Sequence, residues 1–202
     1  LVIATTRPET LIGDTAVAVN PEDTRYKRYI GKKVIVPVVN RSVSIIADEA
    51  VDKEFGTGTL KVTPGHDAAD FEIGQRHNLP VISIMNIDGT LNETADQFKG
   101  QSMSKVRTQI VDQLATENLL VKIEDYQHSV AHCDRSGHVV EPIVTLQWYV
   151  NMKPLAKPAR DAVSDKKTQI VPERFNKIYF DWLDNIRDWC ISRQLWWGHR
   201  IP

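Results

Sequence analysis

A chain of 202 residues with 25 lysines and arginines against 26 acids has a formal net charge of -1, which excludes a general basic field that gathers nucleic acid non-specifically. With 42% hydrophobic and 25% charged residues it has the balance of a globular protein, and its longest aliphatic run, VIVPVV at 34–39, is far too short to cross a bilayer. Two distant cysteines, Cys133 and Cys190, without a secretory leader, suit a reducing cytoplasm better than a disulfide framework.

The first stretch, LVIATT, predicts a buried strand, and Pro8 starts a short helix through Leu11 that stops at Gly13-Asp14. TAVAV is a second strand closed by the turn NPED, and KKVIVPVV, VSIIAD and TLKVT follow as short β-rich runs. Strands this short and this closely spaced predict a sheet curled into a barrel. HDAADFEIGQRHN reads as a helix over 67–77, VISIM as a further strand, and Val106, Ile110, Val111 and Leu114 mark a helix near 103–118. LLVKIEDY and HVVEPIVTLQWYV supply more strands. From Lys153 the composition shifts towards helix and tryptophan, with four of five tryptophans in the last 21 residues. The expected architecture is α+β: a β-barrel core with surrounding helices over 1–150 and a mainly helical segment over 151–202. The chain opens inside an apolar run and stops behind an aromatic-rich one, and is read as a piece of a longer protein.

The chemistry concentrates in GTGTLKVTPGHDAADFE, residues 56–72. Asp67 and Asp70, three apart in the first turn of a helix, share a face and sit where the helix dipole favours their ionised forms, which suits a receptor for an ammonium group. An N-cap with a first-turn acid is the plainer reading. Lys61 and Thr63 point the same way from a strand and converge with the acids if that face opens on the helix start; otherwise they form a solvated face with an ion pair to Asp67. Gly56 and Gly58, on either side of Thr57, allow close backbone approach to a ligand or merely close a hairpin. Thr5, Thr6, Arg7 and Thr10 in ATTRPET could hold the oxygen-rich end of a nucleotide or the carbonyl of an ester, or could simply cap the helix.

TTRPETLIGDTAVAV followed by GTGTLKVTPGHDAADFEIGQRHN closely resembles the editing domain inserted in the class I synthetases for valine, isoleucine and leucine. NIRDWCISRQLWWGHRIP resembles the stretch where the valine members re-enter their catalytic domain. Glu9, KVTP and DFEIGQRHN match the valine type, whereas isoleucine enzymes typically carry Trp in place of Glu9. The resemblance implies hydrolysis of threonine misattached to the tRNA for valine, because a hydrophobic valine pocket cannot strongly reject its hydroxylated isostere. It implies that Asp70 holds the α-amino group, that Lys61, Thr63 and Asp67 surround the side chain with Asp67 accepting from the threonine hydroxyl, and that Phe55 with the Gly56-Thr57-Gly58 backbone flanks the terminal adenosine. Thr5, Thr6, Arg7, Glu9 and Thr10 complete the RNA-end site. Gly65 stands where the family more often has Ala, and little consequence is expected because no side chain is lost from the site.

No cofactor is implied for editing, ATP and Mg being used only by the separate catalytic domain. The implied partners are the tRNA and the remainder of the synthetase chain, with no membrane, in a cytoplasmic monomer. No general base is identifiable, so positioning and electrostatics, with the free ribose hydroxyl, are the expected mechanism. His128, His132, Cys133 and His138 lack a Cys-x-x-Cys pair and predict no metal site, and SMSKV at 102–106 only echoes an ATP-binding loop. The competing readings are a module that docks the acceptor end without catalysis, which should be richer in Lys and Arg, and the editing domain of an isoleucine- or leucine-type enzyme.

Overall fold

A computed structural model describes residues 1–201, in two compact units, Leu1–Val144 and Thr145–Pro202. The first is organised on four strands, β1 (Ala16–Val19), β2 (Lys33–Val36), β3 (Arg41–Ala47) and β4 (Thr59–Val62), in the order β2-β3-β1-β4. β1 runs parallel to β3 and antiparallel to β4, and β2 is antiparallel to β3. All four residues of β1 are buried, as a central strand covered on both faces requires. Ala16 and Ala18 pack with Val51, Val62 and Ile73, while Val17 and Val19 pack with Val36, Val43 and Ile45, the two faces separating with the strand period of two.

Ile73 comes from α1 (Ala68–Arg76), which covers the first of these faces. A second helix, α2 (Met103–Thr116), buries Met103, Val106 and Ile110 against Ile12, Ile84, Leu91 and Phe98, so its apolar stripe is matched by a 3₁₀ turn (Pro8–Gly13) and the loop that follows α1. Both helices lie within a residue or two of their sequence-derived bounds.

The barrel does not close: the four strands form an open sheet. LVIATT joins no ladder, and the Val2 carbonyl accepts from the Thr59 hydroxyl instead (2.6 Å). VISIM also stays out of the sheet: Met85 makes only an isolated antiparallel bridge with Leu91, while the Ile84 N–H donates to the His66 ring and the Ser83 carbonyl accepts from the Asn92 side-chain amide. Residues 119–126 are almost entirely exposed and join no strand pairing. Runs of β-branched residues name a preference for extended backbone, and only a free edge at the right register turns that into a strand.

The second unit holds α3 (Lys153–Ser164), α4 (Asn176–Asp184) and a two-residue pairing of β5 (Tyr149–Val150) with β6 (Trp189–Cys190). Arg160 reaches Asp184 at 2.6 Å and the Tyr179 hydroxyl donates to the Ala159 carbonyl, joining α3 to α4. Trp182, Trp189, Trp196 and Trp197 are exposed. Among the described residues no helix is long and apolar enough to cross a membrane.

Candidate active site

The centre of the first unit is a buried polar cluster at the start of α1. Antiparallel pairing sets Lys61 directly opposite Val17, on one face of a sheet whose core would ordinarily exclude an ammonium group. The charge is accommodated because three acceptors converge on it: Lys61 Nζ donates to Thr63 Oγ1 (2.6 Å), Thr10 Oγ1 (2.7 Å) and Asp14 Oδ1 (3.3 Å). Thr63 Oγ1 donates in turn to Asp14 Oδ1 at 2.6 Å. Thr10, Asp14, Lys61 and Thr63 are all buried, so this is a closed network and not a solvated strand face. Burial holds the Asp14 carboxyl above its ordinary value against the pull of Lys61 and Thr63. The expected alternative, an ion pair from Lys61 to Asp67, is absent: the partner is Asp14, which the sequence reading missed.

Asp67 and Asp70 part company. Asp67 is the exposed N-cap of α1, its Oδ1 accepting from the N–H groups of Ala69 (2.8 Å) and Asp70 (3.0 Å). Asp70 turns inward, buried, with Oδ2 accepting from the Thr63 N–H at 2.8 Å. No cation pairs with Asp70 among the described residues. Burial pushes its carboxyl up to about 6, with the nearby Asp67 and Asp14 adding to the rise. The dipole argument for a fully ionised pair therefore fails at Asp70, because desolvation exceeds what a helix N-terminus offers.

Glycines make the close approaches possible. A Cβ at Gly65 would lie 2.2 Å from the Ile82 carbonyl oxygen, and one at Gly74 would lie 2.9 Å from the Pro64 ring. Gly65 is a close-approach position: its missing side chain lets residues 82–84 pass beside His66, whose Nε2 accepts from the Ile84 N–H at 2.9 Å. Burial above all, and then Arg7, lower His66 to about 4, so it is a neutral strut near neutrality and not a base.

The segment ATTRPET lies along this cluster. Arg7 donates to the His66 carbonyl (3.0 Å) and to Glu141, and approaches the buried Glu9 at 3.5 Å. From α2, Arg107 clamps both oxygens of Glu9 (2.8 and 3.0 Å) and reaches the Thr6 carbonyl at 2.9 Å. Glu9 is therefore held between two guanidinium groups instead of facing a ligand. Thr5 is exposed and its hydroxyl accepts from the Arg7 N–H; Thr6 is exposed too. Phe55 is 64% exposed, edge-on to Tyr126 at 6.3 Å, with Tyr126 stacked on His128 at 5.6 Å. Gly56 and Gly58 both take positive φ, and the Tyr26 hydroxyl donates to the Thr57 carbonyl (2.8 Å).

Among the sequence-derived candidates, the fold brings Thr10, Lys61, Thr63 and Asp70 into one buried cluster, sets Arg7 and Glu9 beside it, and leaves Thr5, Thr6, Phe55 and Asp67 at the surface. Asp14, His66, Arg107 and Glu141 join only in three dimensions. Asp14 had one available signal, an acid two residues ahead of an all-apolar strand; Arg107 and Glu141 had none.

The chain matches the family described as tRNA synthetases class I (I, L, M and V) over residues 10–202. It is 58% identical over 200 residues to the valine–tRNA ligase of Dehalococcoides mccartyi (strain CBDB1) and 60% identical over 201 residues to that of Geobacillus kaustophilus (strain HTA426), covering 99% of this chain in each case. It spans 23% of the length of those relatives. A solved structure described as "The crystal structure of GlLeuRS-CP1" matches at 14% identity with a TM-score of 0.48, over 62% of this chain and 83% of its own. A family match over nearly the whole length, with two relatives above half identity, makes this chain a member of the class I tRNA synthetases of the isoleucine, leucine, methionine and valine group.

Proposed function

We propose that residues 1–150 are the editing domain of a valine-type synthetase, hydrolysing the ester of threonine misattached to the tRNA for valine, and that residues 151–202 lead back into the catalytic domain. The observation that carries this is Asp70: a buried carboxylate with a single hydrogen bond and no cation, raised to about 6, is a vacancy for positive charge. An aminoacyl ester brings an α-ammonium, which would pair with the ionised carboxylate and take up its free lone pairs. Asp67 Oδ2, not used in capping, accepts from the threonine hydroxyl, a hydrogen bond to a charged group that valine cannot make. Because all three donors of Lys61 and the hydroxyl proton of Thr63 are committed inside the network, these residues act by fixing the position of Thr10 and the Thr63 backbone, and not by touching the substrate. His66 is neutral and already accepting from a backbone N–H, so the attacking water is oriented by fixed dipoles and the ribose hydroxyl, without a protein base. Editing needs no cofactor; ATP and Mg serve the separate attachment reaction.

The test is deacylation of pre-formed threonyl-tRNA and valyl-tRNA by the full-length synthetase and its Asp70→Asn variant. Loss of a charge-assisted hydrogen bond worth about 1.5–3 kcal/mol should slow threonine clearance by about one to two decades while valine attachment stays at the parental rate. Clearance at the parental rate would return GHDAAD to a capping motif.

A further inference from the structure

We infer that residues 25–33, TRYKRYIGKK without its first residue, form a track for the RNA phosphate backbone leading to the candidate site. The inference rests on the reading of that site as one that receives an RNA end. Arg25, Lys27, Arg28, Lys32 and Lys33 put five cations and no acid into nine residues of a chain whose net charge is -1. Arg25 is neutralised by Asp23 at 2.7 Å, but Lys27, Arg28, Lys32 and Lys33 form no ion pair among the described residues. All four are exposed. The other lysines and arginines of this unit without a carboxylate partner, Arg41, Lys105 and Arg135, are scattered along the chain. A neutral protein that has placed its uncompensated charge in one short stretch has a local field where it lacks a global one.

The stretch is also mechanically tied to the loop carrying Phe55. The Tyr26 hydroxyl donates to the Thr57 carbonyl at 2.8 Å, and Arg25 donates to the Lys53 carbonyl at 2.7 Å while closing the space beside Gly58. The segment that carries the cations is thereby fixed to that loop. Tyr29 packs into the core beneath them, and the Arg28 guanidinium and the Lys32 ammonium lie 4.8 and 5.5 Å from its ring, Arg28 also donating to its hydroxyl. Lys33 has a second use, since β2 is an edge strand and a lysine there discourages pairing with another chain. Edge protection does not account for Lys27, Arg28 and Lys32, which precede the strand. A nucleotide seated beside Phe55 must be followed by phosphates one after another, and cations rooted on the adjoining segment are placed to meet them.

The experiment compares the full-length synthetase with its K27Q/R28Q/K32Q/K33Q variant in binding tRNA for valine across a salt series from about 50 to 200 mM. Each phosphate contact contributes about 0.7–0.9 to the slope of log K against log salt, so losing two to four contacts should flatten the slope by about 1.5–3.5. K105Q/R135Q, which removes two other unpaired cations, should leave the slope at the parental value, and K27Q/R28Q alone should give part of the full effect. An unchanged slope in the quadruple variant overturns the inference, as does an equal flattening by K105Q/R135Q. Because binding is measured without hydrolysis, a synthetase that fails to clear threonine would sink the proposed function without deciding this outcome.

Discussion

Asp70→Asn should change the stability of the first unit in a way that depends on pH with a known sign. In the fold the Asp70 carboxyl is raised from its ordinary 3.8 to about 6, so the native state keeps a proton that the unfolded chain has lost. Stability is then fully present below pH 3.8 and is lost as pH rises through 6, at about 1.4 kcal/mol per pH unit and at most about 3 kcal/mol in all. Asparagine keeps an acceptor for the Thr63 N–H and has no charge to desolvate. The difference between variant and parent should accordingly grow from a constant offset below pH 4 by about 3 kcal/mol above pH 6.5, a large part of a stability of about 5–15 kcal/mol. His66→Gln should act in the opposite sense: His66 is lowered to about 4, so the parent loses stability as pH falls from 6.5 towards 4, and the variant is spared that loss. The assay is urea unfolding at a series of pH values followed by circular dichroism, because all five tryptophans lie beyond residue 144 and their fluorescence reports on the other unit. A variant-minus-parent curve for Asp70→Asn that is flat between pH 4 and 7 would refute the desolvated-carboxylate account.

Asp14→Ala leaves the Lys61 ammonium buried without a carboxylate and should cost about 3–5 kcal/mol in urea unfolding, whereas the D14L/K61M pair should recover most of that loss in a double-mutant cycle. Gly65→Ala forces a Cβ against the Ile82 carbonyl, so residues 82–84 must move; a loss of about 1–3 kcal/mol is expected, seen as a lower melting temperature by circular dichroism. Arg107→Lys cannot span both Glu9 oxygens and the Thr6 carbonyl together, and should slow threonyl-tRNA clearance about five-fold, the worth of about 1 kcal/mol, with valine attachment unaltered as the control.

How legible the molecule was depended on whether a residue's partner lay nearby in sequence. The helices α1 and α2 follow from local signals, an aspartate cap for one and the spacing of Val106 and Ile110 for the other, and both form where expected. Whether a strand forms is decided at long range: VISIM has the composition of a strand, but the His66 ring takes the Ile84 N–H and only Met85 finds a bridge partner, in Leu91. The same divide runs through the site. That Lys61 and Thr63 share a face follows from strand alternation, and their hydroxyl and ammonium do meet. Which acid neutralises Lys61 is settled by a contact 47 residues away in sequence, so the nearby Asp67 was the natural but mistaken partner. Gly65 likewise looks optional until residue 82 is seen to pass where its side chain would stand.

The charges around the site explain why a small cationic ligand suits it. Arg7, Lys61 and Arg107 supply three positive groups, and Glu9, Asp14, Glu141, Asp67 and Asp70 supply five acids. Arg7 and Arg107 are taken up by Glu9 and Glu141, and Lys61 by Asp14, so every cation is already committed before Asp70 is reached. Asp70 responds by holding its proton to about pH 6. Near neutrality it is largely ionised at the cost of its own desolvation, and an α-ammonium that arrives beside it removes that cost instead of competing with an existing salt bridge. Binding and ionisation are therefore linked: affinity for an amino ester should weaken as pH falls through 6, although the ammonium itself stays fully charged throughout that range. An ester whose amino group is acylated should gain nothing from Asp70 at any pH, and parallel deacylation of free and N-acetylated threonyl-tRNA at about pH 5.3 and 6.7, both below the amino group's own titration, separates the two cases. A free ester cleared no faster at the higher pH, relative to its acetylated counterpart, would show that Asp70 does not receive the ammonium.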